Sequence, residues 1–288
     1  MIAPSRVMLT CAILLRLCGW ALVIAQSKAP SSPYDLVEGA IQNELNSADV
    51  IDVRWRYLLD KEVDGKLETK EVIETKFGSV DRLIAVAGKP LTETQQRDEI
   101  KRILRLSHNP DEQRQLEQGQ RKDAQQSRAF LEMVPSAFRF DDTSKAGDLV
   151  KIAFKPNPRF KPSSREGKIF HEMAGEIWID SKERRITRIQ GQLTNSVKFG
   201  GGFLGHLESG HFTVERAEIA PGDWEITKMD VDMRGKALLF KTISIKQKEV
   251  HRNFERVPRD LTIANAAAFL LKDSSPQPKI SRDRAPGS

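Results

Sequence analysis

Beyond residue 25 the chain contains no cysteine; its two, Cys11 and Cys18, lie within the first 18 positions. That absence excludes disulfides, thiolate zinc sites and a thiol nucleophile from the rest of the protein. Histidine is scarce too. His108, His171, His206, His211 and His251 form no i, i+2 pair and no i, i+4 pair on a helix, and no carboxylate cluster joins them. No metal and no cofactor are therefore expected. Ser196 and Ser209 lack the surroundings of a nucleophile elbow, and Asp230 and Asp232 share a strand face that reads as solvated surface. No catalytic residue is assigned and the protein is not expected to be an enzyme. Nor is there a clustered basic face. The net charge is +6 from 46 basic and 40 acidic residues, and leaving out Arg6 and Arg16 reduces the basic count to 44. The charges are interspersed, which argues against a nucleic-acid partner. No fixed long-period repeat is present.

The first 25 residues read as an export signal. Arg6 supplies the positive start, an apolar run follows from Val7 to Ala25, and Val23 and Ala25 occupy small-residue cleavage positions. Retention as a membrane anchor is the alternative, but Arg16 splits a run that would need about 20 apolar residues to span a bilayer. An exported chain without disulfides fits a bacterial envelope: periplasmic or secreted, with cleavage near Ala25.

Residues 26–33 form a polar linker, and 34–46 carry a helical stripe of Val37, Ala40, Ile41 and Leu45. The period then changes to two. Ile51, Val53, Trp55, Tyr57 and Leu59 alternate with Asp52, Arg54, Arg56 and Leu58, the mark of an antiparallel strand with one buried face. Asp64-Gly65 offers a tight turn. Residues 91–133 read as a helical insertion over one edge or mouth of a sheet; Asn109 caps a helix that opens on Pro110, Asp111 and Glu112. From 136 to 256 strand patterns dominate, among them KIFHEMAG, GEIWID, RITRIQGQL, DWEITKMDVDM and ALLFKTISI. In the fourth of these, Met229, Val231 and Met233 share one face and Lys228, Asp230 and Asp232 the other. Residues 258–272 suggest a closing helix with Pro258 in its first turn. Residues 273–288 are low in apolar content and are expected to be disordered.

One stretch, FGGGFLGH (199–206), contains a literal G-x-G-x-x-G. A dinucleotide fingerprint needs a buried parallel strand before it and a helix after it. Here both flanks are strand-like, so the segment reads as a glycine-rich connection with Phe203 and Leu204 at its tip. That tip either caps the core or enters a pocket or partner.

The segment GEIWIDSKERRITRIQGQL resembles the hairpin of LolA-like envelope proteins, which include lipoprotein carriers and lipoprotein-sorting proteins. The stretches FKPNPRFKPSSREGKIFHEMAGEIWID, FGGGFLGHLESGHF and GKALLFKTISI also resemble a large group of exported bacterial proteins of unassigned function, over most of residues 34–272. The resemblance implies an incomplete antiparallel barrel with helices over its open side, binding an acyl chain without catalysis. The chain departs from the carriers in its insertion and its glycine connection, and none of their lipid-contacting residues is carried over.

These readings converge on an α+β chain, mainly β, with a strongly curved antiparallel sheet and covering helices over 34–272. The expected role is binding a lipid or lipoprotein acyl chain in a concave face. Ile51, Val53, Trp55, Tyr57 and Leu59 would line or support it, with Phe203 and Leu204 at its rim. A monomer is expected, with a further envelope protein as a possible partner. The alternative is an envelope scaffold with a filled interior and no small ligand.

Overall fold

The computed structural model describes residues 32–50, 53–199, 205–237 and 241–272. Its elements are α1 (Pro33–Val50), β1 (Arg54–Val63), β2 (Lys66–Thr75), β3 (Gly78–Val86), β4 (Lys89–Pro90), α2 (Glu93–His108), α3 (Pro110–Ala137), β5 (Phe138–Ala146), β6 (Leu149–Pro156), α4 (Arg165–His171), β7 (Met173–Asp180), β8 (Arg185–Leu193), β9 (Val197–Phe199), β10 (Gly205–Ala220), β11 (Asp223–Ala237), β12 (Lys241–Val257) and α5 (Ile263–Lys272). The strands form one twelve-stranded sheet in the order β4-β3-β2-β1-β12-β11-β10-β8-β7-β6-β5, with β9 beside β10. Every pairing is antiparallel. The outer strands β4 and β5 do not pair, so the curved sheet stays unclosed. The architecture is the α+β class expected, with helices packed on an antiparallel sheet.

Local chemistry places the turns and caps. Asp64 and Gly65 both have positive φ (50° and 78°), as a two-residue hairpin turn between right-twisted strands requires. α2 opens with a reciprocal capping box between Thr92 and Gln95. The insertion is two helices, because Pro110 pushes Asn109 out of the helical region (φ −109°, ψ 98°). The Asn109 side chain then accepts the backbone N–H groups of Asp111 and Glu112, starting α3.

Register divides the sheet into two faces. One carries Trp55, Tyr57 and Leu59, opposite Val72, Lys70 and His251 on the neighbouring strands, and continues through Met229 and Val231, Val214 and Phe212, to Ile189 and Ile177. The other carries Arg56, Ile73 and Val80 in one row.

Two separate hydrophobic cores form, one at each wing. In the first, α1, α4 and the last turns of α3 cover the Trp55 face over β5 to β8, burying Val37, Ile41, Val134, Ile152, Phe170 and Ile177. In the second, α2 and α5 bury Ile73, Val80, Ile103, Ala267 and Leu270 on the opposite face. Between the wings, the long strands β10, β11 and β12 are half-buried or exposed along most of their length.

α3 connects the two cores. Leu116 packs into the second and Phe130, Leu131 and Met133 into the first. In between, Gln120 hydrogen-bonds the Ser79 hydroxyl at 3.2 Å, and residues 121–129 are exposed. The helix thus passes over the β2–β3 turn as a strap.

Two expectations about elements need correction. KIFHEMAG divides into α4 and the start of β7, because the Ser164 side chain accepts the Gly167 N–H and starts a helical turn that buries Phe170. The closing helix begins at Ile263 and Pro258 precedes it by a turn, so the first-turn role fails. β12 runs on to Val257, through KQKEVHRNFERV, which has no apolar alternation. That stretch is held by β11 on one side as far as Val250 and by β1 on the other to its end, with a bulge opposite Tyr57 where Asn253 takes φ 59°.

Candidate functional site

Of the seven residues singled out from the sequence, the structure brings three together. Trp55, Tyr57 and Leu59 share the face that continues across the central strands. Trp55 is 3% exposed. Phe254 meets it edge-on at 6.1 Å, and the Arg256 guanidinium lies 5.6 Å from its ring. Tyr57 stacks on His251 at 5.2 Å and tilts against Phe254 at 5.2 Å. Leu59 pairs with His251 and is half-buried. Val53 is half-buried just before β1. Ile51, Phe203 and Leu204 lie outside the described residues.

Across β12, the face continues as Met229, Val231 and Met233 of β11 and Val214 and Phe212 of β10, all half-buried. Phe212 and Met233 pack against the first core. A polar diagonal crosses this apolar ground: Glu249 pairs with Lys61 at 2.8 Å and His251 at 3.2 Å, and Gln247 donates to it at 2.9 Å. Burial alone would raise the Glu249 carboxyl. Hydrogen bonds from His251 and Lys61 outweigh burial and hold it at about 2.

The Trp55 end of this face carries the opposite electrostatics. The Glu74 carboxylate accepts the Trp55 backbone N–H at 3.1 Å. Burial, then the nearby Glu225 charge, pushes Glu74 up to about 7, and burial likewise raises Glu225. Burial also pushes the Tyr57 phenol up, with Glu74 and Glu225 adding to it. The buried Trp55 indole N–H has no partner at hydrogen-bond geometry and looks toward the Glu225 carboxylate.

Glu74 also lines a pocket of about 410 Å³ between the β2–β3 turn and the middle of α3. Arg54, Lys76 and Arg121 bring positive charge to it, and Phe77 and Ala124 give it apolar walls. Gly78, at φ 138°, makes the turn possible; a Cβ there would sit 2.9 Å from the Gln120 side chain. A smaller depression of about 270 Å³ contains Ser209, His211 and Asp232. These three do not form a triad, since the Asp232 carboxylate is held by Arg234 at 3.2 Å and no hydrogen bond joins it to His211. Among the described residues no group of three His, Cys, Asp or Glu side chains could hold a metal ion.

Glu74, Glu225, His251 and Phe254 were missed by the sequence reading. Glu74 follows Val72 at strand spacing, a signal for its face. His251 and Phe254 sit in the unpatterned half of β12, where only pairing with β1 reveals their position.

No protein-family profile matches this chain, and no curated protein sequence matches it. Among solved structures it is similar to a DUF1329 family protein from Desulfovibrio piger, with 9% identity and a TM-score of 0.27, over 78% of this chain and 91% of that one.

Proposed function

We propose that this protein binds a lipid or lipoprotein acyl chain along the Trp55 face of its sheet, without catalysis, in the bacterial envelope. One observation carries the reading. The two cores are separate, and the apolar strip between them, from Tyr57 and Leu59 to Val231 and Phe212, is left half-exposed. The helices of the first core cover this face only over β5 to β8, and those of the second lie on the opposite face, so the strip has no covering layer of its own. The LolA-like resemblance and the signal-like first 25 residues support the acyl ligand and the envelope location.

The magnitudes suffice. A chain of about 16 carbons buried at about 0.8 kcal/mol per methylene contributes about 12 kcal/mol. Association costs of about 4 kcal/mol or more leave at most about 8 kcal/mol, a micromolar affinity at best.

Native mass spectrometry of protein purified without detergent tests the proposal. Adducts with the mass of a fatty acid or phospholipid are expected. A Val231→Lys variant should lose them, because it puts a charge in the apolar strip. Lys228→Glu, on the opposite face, should keep them. Protein free of adducts, and gaining no thermal stability from added fatty acid or phospholipid, would count against the idea.

The scaffold reading has one observation in its favour: the exposed, polar stretch 121–129 of α3 is a surface open to a partner. It requires charge reversal on that stretch to abolish capture of an envelope protein while leaving any lipid adduct unchanged.

A further inference from the structure

The pocket beneath α3 lies at the Trp55 end of the proposed acyl-binding strip. Glu74 belongs to both, since it lines the pocket and accepts the Trp55 backbone N–H. The strap of α3 forms the outer wall through Gln120, Arg121 and Ala124. Glu74 thus places the pocket next to Trp55, at one end of the strip.

Lys76 and Arg121 bring positive charge to the lining, and Glu74 and Glu117 are its carboxylates. Glu117 is engaged by Arg121 at 2.5 Å. The Lys76 ammonium has no carboxylate partner among the described residues and stands 5.8 Å from the Phe77 ring. We infer that this pocket is the subsite for the anionic head group of the acyl ligand, a carboxylate or a phosphate, with Lys76 as its counter-charge. The inference rests on the acyl-chain reading above and deepens it.

Glu74 makes the subsite sensitive to pH. The groups around it are Arg54 and Tyr57 of β1, Glu225 of β11, Lys76 of the β2–β3 turn, and Glu117 and Arg121 of α3. Neutral, Glu74 leaves the Lys76 ammonium uncompensated. Ionised, it offsets that charge and repels an anion. Because its carboxyl titrates at about 7, anion binding strengthens below neutrality and weakens above it.

Calorimetric titration of the lipid-stripped chain with decanoate, 1-decanol and inorganic phosphate, at pH 6 and pH 8.5, tests this. Decanoate should bind about tenfold tighter than 1-decanol at pH 6, the effect of one charge-assisted contact. Lys76→Gln, an exposed substitution, should weaken decanoate several-fold and leave 1-decanol unchanged. Glu74→Gln should bind decanoate at pH 8.5 as tightly as the unaltered chain does at pH 6. Equal binding of decanoate and 1-decanol, indifferent to Lys76→Gln, would overturn the subsite and leave the acyl strip standing. Binding of neither would overturn both. Phosphate alone binding as tightly as decanoate would make this a site for free anions and overturn the head-group assignment.

Discussion

Replacing Glu44 with alanine is expected to destabilise the protein by about 3–5 kcal/mol, the cost of stranding buried charge. Glu44, on α1, is 8% exposed. Its carboxylate receives Arg185 of β8 at 3.2 Å and Arg216 of β10 at 2.5 Å, and accepts the Ile186 backbone N–H at 3.4 Å. One side chain thus ties the helix over the first core to two strands of the sheet. Alanine strands the buried Arg185 guanidinium, while Arg216 keeps its hydrogen bond to the Trp224 carbonyl. Glu44→Gln keeps an acceptor for the amide and should cost roughly half as much. Urea unfolding at neutral pH measures both. A loss below about 1 kcal/mol for the alanine variant would show that solvent already satisfies the two arginines.

Stability should also fall as pH rises from about 4.5 to above 7. Glu74 has a folded value of about 7 against an ordinary 4.5, so the folded state holds its proton more tightly than the unfolded state. Its contribution is complete below about 4.5 and is lost as pH rises through 7, by about 3 kcal/mol in all. Glu225 shifts in the same direction and adds to the trend. Glu249 works the other way. Held at about 2, it stabilises the fold above its ordinary 4.5, and that contribution disappears as pH falls toward 2. Together they put greatest stability in mildly acidic solution. Glu74→Gln should raise the melting temperature at pH 8.5 and leave it nearly unchanged at pH 5. A variant no more stable than the parent at pH 8.5 would mean that water reaches the carboxylate and dissolves the effect.

How far the sequence foretold this structure depends on what held each segment. RITRIQGQL is β8 residue for residue, and Ile186 and Ile189, three apart, both pack on the core because a bulge opposite Trp178 and Ile179 shifts the register. Asn109-Pro110 marked a helix start, since both residues act locally. KIFHEMAG misled because a seven-residue helix capped by one serine has too few positions to display a 3.6-residue period. The end of β12 was illegible for a different reason. From His251 on, its partner is β1, nearly 200 residues away, and no side-chain pattern encodes that pairing.

The candidate site divides along the same line. Trp55, Tyr57 and Leu59 were visible as an alternating row, and the structure keeps them on one face. That face is not the one α2 and α5 cover, however. The helices of this wing bury Ile73 and Val80 on the other side of the sheet. Alternation reveals which residues share a face, but which face receives a helix is decided by the path of the chain. The buried carboxylates Glu74 and Glu225 were hidden because strands far apart in sequence bring them together.

Photo-crosslinking with a diazirine fatty acid, followed by peptide mass spectrometry, interrogates the acyl strip most directly. Label is expected on peptides of β1, β10 and β11 containing Leu59, Val214, Met229 or Val231, and excess unlabelled fatty acid should suppress it. Label confined to the α2–α5 side of the sheet, or no more label on the folded protein than on urea-unfolded chain, would contradict the account.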